Sequence, residues 1–135
     1  MIVADTNLIA GLYTESAQRD LAMAAYEKDQ NWAAPYLWRS EFRNVMALYM
    51  RKELLELGQA IQITHWAEGQ MTTKEYFPMA SRVLNLASMS GCTAYDCEFV
   101  SLAEDLGLTL VTFDKKVLRA FPSIAVSPFD FVSGG

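Results

Sequence analysis

The chain has 135 residues, 52% hydrophobic and 20% charged, which excludes a disordered polymer and suits one domain spanning residues 1–135. With 11 basic and 16 acidic residues the formal net charge is −5, which argues against a general nucleic-acid binder of basic character. No apolar run reaches the ~18 residues of a membrane span, and the N-terminus lacks a basic region and reaches Asp5 almost at once. No membrane anchor and no signal peptide are therefore expected, and the cytoplasm is the expected location.

In chain order, Met1-Ile2-Val3-Ala4 reads as a short buried strand stopped by Asp5-Thr6-Asn7. Residues 16–29 read as a helix capped by Ser16. A short strand near 31–34 precedes Pro35, and helices are expected over 36–52 and 57–70. Residues 78–90 form a predicted helix with Pro78 at its start and Gly91 as its stop. Residues 94–106 form another, ended by Gly107. Leu108 to Phe113 is a β-branched and apolar strand followed at once by Asp114. A short helix from Lys115 to Phe121 closes at Pro122, and residues 124–126 make a last strand. Strands alternating with helices imply an α/β fold with a parallel sheet covered on both faces. In such sheets ligands bind beyond the carboxyl ends of the strands, where Asp5 and Asp114 stand.

Two further acids sit on helices in unexpected places. Stepping about 100° per residue from Leu37 at 0° puts Leu48, Val45, Trp38, Tyr49 and Phe42 between roughly 20° and 140°, with Glu41 at about 40°, inside that apolar stripe. Arg39, Ser40, Arg43 and Asn44 fall on the other face. A buried unpaired carboxylate costs several kcal/mol, so Glu41 must be paired, protonated or metal-bound; a buried salt bridge or a snorkelled edge residue is the plainer alternative. Asp96 is the acid of its helix most nearly aimed at the sheet, although Thr93-Ala94-Tyr95-Asp96 also fits a capping box with Asp in place of Glu. Asp5 and Asp114 can equally cap the turn or helix that follows each strand, and Thr6 and Asn7 can do the same. Thr112, two residues before Asp114, shares its face.

Together Asp5, Glu41, Asp96 and Asp114 offer enough carboxylate for one or two hard cations such as Mg²⁺ or Mn²⁺, which prefer oxygen. Paired ions about 4 Å apart can activate water and stabilise the leaving oxygen in phosphodiester cleavage. The single His65 and the cysteines Cys92 and Cys97 do not make a zinc site; the thiols read as reduced and packed, and His65 as a surface or core-edge residue.

The order and context of these acids resemble the PIN-domain nucleases, especially the VapC-like toxins of toxin–antitoxin pairs. The matching segments are IVADTNLI with Asp5, WRSEFRNVM with Glu41, TAYDCEFVSLAEDLG with Asp96 and LTLVTFDKKVLRAFP with Asp114. The resemblance covers nearly the whole chain, although residues 53–92 carry no legible signature. It implies a three-layer α/β/α sandwich on a central parallel sheet, often dimeric, and Mg²⁺- or Mn²⁺-dependent endoribonuclease activity on RNA, silenced by an antitoxin docked near the acidic cleft. It makes Asp5, Asp96 and Asp114 metal ligands, Glu41 a ligand directly or through water, and Thr6, Asn7 and Thr112 their orienting partners. Arg39, Arg43, Lys115, Lys116 and Arg119 become candidates to meet RNA phosphates, against the alternative of solvated surface charge.

A haloacid-dehalogenase-type phosphatase needs a second Asp two residues after the first, where Asn7 stands. An RNase H-like fold places a strand meander where residues 16–29 read as helix. The remaining alternative is a non-catalytic PIN-fold module that acts by binding a partner, in which loss of some of the four acids is expected.

Overall fold

The computed structural model describes residues 1–134. The strands are β1 (Ile2–Ala4), β2 (Trp32–Pro35), β3 (Glu75–Tyr76), β4 (Leu110–Val111) and β5 (Ala125–Val126). The helices are α1 (Thr6–Gly11), α2 (Arg19–Lys28), α3 (Trp38–Arg51), α4 (Leu57–Met71), α5 (Ala80–Ser90), α6 (Ala94–Leu106), α7 (Lys115–Ala120) and α8 (Pro128–Ser133). The five strands form one parallel sheet in the order β3-β2-β1-β4-β5. Register pairs Val3 with Ala33 on one side and with Leu110 on the other.

This order fixes the layers. From β1 the chain steps twice toward β3, then crosses back to β4 and steps on to β5. Right-handed crossovers put the connecting helices of the two directions on opposite faces of the sheet. Accordingly α1 packs on α2 and α3, and α3 on α4, whereas α5 packs on α6 and α6 on β1, β2 and β4. The result is an α/β/α sandwich. The central strands carry only apolar residues, Ile2, Val3, Ala4, Trp32, Ala33, Ala34, Leu110 and Val111, because both of their faces are covered. Trp38, Phe42, Leu8, Ile9, Val100 and Met71 fill the layers above and below. Gly11 lets α1 and α2 approach closely: a Cβ there would lie 2.8 Å from that of Ala22.

Several boundaries differ from expectation. Helix α1 begins directly after β1, because Asp5 in extended conformation accepts the Leu8 N–H and caps it. Ser16 accepts the N–H of Gln18 in a local turn, so α2 starts only at Arg19. Pro78 lies before α5, which begins at Ala80. The 108–113 segment pairs as a strand only at Leu110–Val111. Strand β3 and helix α8 were not anticipated. Helix α6 spans the expected residues, with Thr93 accepting the Asp96 N–H at its start and Gly107 left-handed at its end (φ 66°).

Candidate acidic cleft at the sheet switch point

The strand order reverses between β1 and β4, the place where parallel α/β sheets open a crevice beyond their carboxyl ends. Asp5 follows β1 and Asp114 lies three residues beyond β4. Helix α3 leaves β2 at the same edge, so Glu41 falls in its first turn there. Helix α6 returns to the start of β4 through the Gly107 turn, so its first turn, with Asp96, lies at the opposite, carboxyl end. All four carboxylates line one cleft of about 430 Å³ together with Thr6, Asn7, Thr112, Ser40, Asn44 and Tyr95.

Hydrogen bonds hold three of these acids, Asp5, Asp114 and Glu41, in place. Asp5 Oδ1 accepts the Leu8 N–H (2.7 Å), while Oδ2 accepts the Thr112 hydroxyl (2.6 Å) and the Phe113 N–H (2.9 Å). Three of its roughly four lone-pair sites are thus used and its orientation is set. The buried Thr112 hydroxyl also accepts the Asp114 N–H (3.0 Å), so one side chain ties two acids together. Asp114 Oδ1 caps α7 by accepting the N–H groups of Lys116 (2.9 Å) and Val117 (3.1 Å). On the other side Thr6, next to Asp5, donates to Glu41 Oε1 at 2.6 Å.

The electrostatics are those of crowded like charges. Burial pushes the Asp5 carboxyl above its ordinary value; the bonds from Thr112, Leu8 and Phe113 oppose this, and the Asp114 charge adds to it. Burial raises Glu41, the Thr6 hydroxyl opposes, and the charges of Asp96, Asp5 and Glu98 raise it further. Burial also raises Asp96, reinforced by Asp114 and partly offset by Thr93 and Lys116. Such a site favours whatever brings positive charge into it. The donors are all hard oxygens. Among the described residues no three His, Cys, Asp or Glu side chains converge tightly enough to complete a metal cage. Carboxylates coupled in pairs are the oxygen donors that a hard divalent cation takes.

The apolar stripe of α3 divides in two. Trp38, Phe42 and Met46 enter the core. Leu37 and Val45 line the cleft beside Glu41, which explains a carboxylate within an apolar face. Ser40 and Asn44, expected on the outer face, line the cleft too; the available signal was that Asn44 lies three residues after Glu41 and Ser40 four before Asn44. Tyr95, exposed next to Asp96, was also missed. Glu98 lies off the cleft lining, half-buried, and burial raises its carboxyl.

The candidate cations separate into two groups. Arg39 is not on the cleft lining: it forms a bidentate pair with Glu75 (2.6 and 2.8 Å) and reaches Glu68 at 3.4 Å. Arg43 also meets Glu68, at 3.5 Å, at the edge of an apolar groove between α3 and α4 that His65 helps to line. Lys115, Lys116 and Arg119 are exposed on α7, immediately beyond Asp114. Cys92 and Cys97 are free and buried.

A doubly wound parallel sheet with four carboxylates at its switch point defines an α/β protein with an acidic crevice. The sequence pattern of the PIN domain matches residues 2–122, and the chain belongs to that family. It is 30% identical to Ribonuclease VapC3 of Pyrobaculum aerophilum, over 91% of this chain and 96% of that protein. Its fold is similar to the crystal structure of PAE2754 from Pyrobaculum aerophilum, with a TM-score of 0.75 at 22% identity, covering 98% of this chain and 94% of the other. It is also similar to a chain of a toxin–antitoxin complex from Klebsiella pneumoniae, with a TM-score of 0.69 at 19% identity, covering 95% and 98%.

Proposed function

We propose that this protein is a divalent-metal-dependent endoribonuclease acting at the Asp5, Glu41, Asp96 and Asp114 cleft, and the toxin of a toxin–antitoxin pair. The observation that carries the reading is the meeting of four carboxylates from four separate elements in one cleft at the switch point. The kinship with a protein named as a VapC ribonuclease supports RNA as substrate, and the likeness to a toxin–antitoxin complex supports an antitoxin partner. A homodimer and a cytoplasmic location complete the proposal; among the described residues no helix is long and apolar enough to cross a membrane.

In this reading Asp5, Asp96 and Asp114 hold Mg²⁺ or Mn²⁺, with Glu41 holding it directly or through water. A bound ion supplies an activated water and stabilises charge on the phosphate. Thr112 fixes Asp5 against Asp114 and Thr6 fixes Glu41 against α1, so these three acids are set before substrate arrives. Asn7, exposed at the cleft, orients water or phosphate. Lys115, Lys116 and Arg119 meet phosphates on the α7 side. Arg39 and Arg43 are already engaged by Glu75 and Glu68 and are not assigned to RNA.

The test is incubation of the purified protein with structured and unstructured RNA in Mg²⁺, in Mn²⁺ or in EDTA, beside an Asp5→Asn variant. Cleavage that needs metal and vanishes in the variant is expected. Absence of both cleavage and Mg²⁺ or Mn²⁺ binding would leave a non-catalytic partner-binding module as the better reading.

A further inference from the structure

Tyr36 follows β2 and Phe77 follows β3, so both extend the carboxyl edge of the sheet on which Asp5 and Asp114 stand. Their rings are stacked, with centroids 5.0 Å apart and planes 10° from parallel. The Arg39 guanidinium lies 4.9 Å from the centroid of the Tyr36 ring and is itself held by its two bonds to Glu75. The tier is therefore built from the inside outward, guanidinium, then Tyr36, then Phe77. Phe77 is 83% exposed. A large aromatic ring left in water costs hydration free energy, and this one is supported from below by a fixed stack. Leu37 and Ser40, one and four residues after Tyr36 in the chain, line the acidic cleft, while the two rings lie outside its lining, farther along the same edge of the sheet.

We propose that the Tyr36–Phe77 tier is a nucleobase platform on which one unpaired base of the RNA stacks beside the cleft; this rests on the ribonuclease reading above. Charge favours a base over other occupants at this place. The chain carries 11 basic against 16 acidic residues, and on this side of the edge Arg39 is taken up by Glu75 while Arg43 meets Glu68 at 3.5 Å. Phosphate neutralisation therefore has few partners here, whereas stacking on an aromatic ring does not depend on charge. The parallel strands are about 4.8 Å apart, which sets β3 roughly 10 Å from β1 across the edge. A base on Phe77 and a phosphate at Asp5 thus belong to the same short stretch of strand. The platform demands an unstacked base and selects single-stranded over duplex RNA, as aromatic stacking sites do.

The experiment compares the natural chain with Phe77→Ala and Phe77→Trp on a labelled unstructured RNA with Mg²⁺ or Mn²⁺. Loss of one stacked base corresponds to about 5- to 150-fold. The expected result is a fall in kcat/KM of at least about fivefold for Phe77→Ala. The slope of log kcat/KM against log salt should be unchanged, because that slope counts phosphate contacts. Phe77→Trp should restore the rate, and its fluorescence should show RNA-dependent quenching beyond that of the natural chain. Phe77 is exposed, so equal thermal unfolding of the variants shows that the fold is kept. Cleavage by Phe77→Ala equal to that of the natural chain would overturn the platform while leaving the ribonuclease reading intact. The same holds if Phe77→Ala only changes the oligomeric state in sedimentation, which would assign the tier to a protein contact. If the natural chain neither binds nor cleaves RNA, both fall together.

Discussion

Removing the Thr112 hydroxyl is the most informative single perturbation of the cleft's framework. Thr112→Val keeps the shape of a side chain that is 3% exposed but removes the donor to Asp5 Oδ2 (2.6 Å) and the acceptor of the Asp114 N–H (3.0 Å). A hydrogen bond to a charged group is worth about 1.5–3 kcal/mol, and a donor left without its acceptor adds to the loss. The expected destabilisation is about 2–4 kcal/mol. At about 3–4 °C per kcal/mol for a chain of 135 residues, Tm should fall by roughly 7–14 °C near neutral pH. The pH dependence follows from the charge. The Thr112 bond favours ionised Asp5 and so lowers its pKa relative to the variant. Its contribution is full above the Asp5 pKa and is lost as pH falls through it. Burial places that pKa above 3.8, so the two melting curves should converge at a higher pH than for an exposed Asp. Thr112→Ser should retain most of the stability. Equal Tm values for Thr112→Val and the natural chain at neutral pH would refute the idea that this hydroxyl organises the two acids.

Other perturbations test other parts of the framework. Glu41 is raised above 4.5 by burial and by neighbouring acids, so its stabilising, protonated form is lost as pH rises from 4.5 through the raised value. Glu41→Gln should therefore be more stable than the natural chain at neutral pH, by about 0.5–2 kcal/mol, with the difference vanishing below 4.5; thermal melts across pH measure it. Adding Mg²⁺ or Mn²⁺ should raise Tm of the natural chain more than that of Glu41→Gln, because a cation relieves the same repulsion. Arg39→Met should leave Glu75, whose side chain is 4% exposed, without its counter-ion and with only the Trp38 indole N–H as donor, and cost about 3 kcal/mol or roughly 10 °C in Tm. Adding Glu75→Gln to that variant should recover part of the loss in a double-mutant cycle.

The long helices and the acids at strand ends were legible in the sequence because their causes are local. Gly107 and Thr93 define α6 through dihedral preference and capping, and both work within a few residues. Strand β3 was not legible because it is only two residues, Glu75 and Tyr76, that hold their place through pairing with Ala34 and Pro35 and through Arg39. Helix α1 was masked because Asp5 reads equally as the end of a strand and the cap of a helix, and here it is both. The split of the α3 stripe between core and cleft depends on where the sheet edge passes, which helical periodicity does not encode. Arg39 reads as an outward charge from its angle, and only the fold brings Glu75 and Glu68 against it.

The most direct test of the central claim is RNA cleavage measured across a Mn²⁺ and Mg²⁺ titration for Asp5→Asn, Glu41→Gln, Asp96→Asn and Asp114→Asn, with the exposed Glu15→Gln as control. If the four carboxylates act together, each isosteric change should lower the metal-dependent rate by at least about 100-fold while the control stays at the natural rate. Undiminished cleavage in all four variants, or cleavage that persists in EDTA, would contradict a metal-dependent site built on these acids.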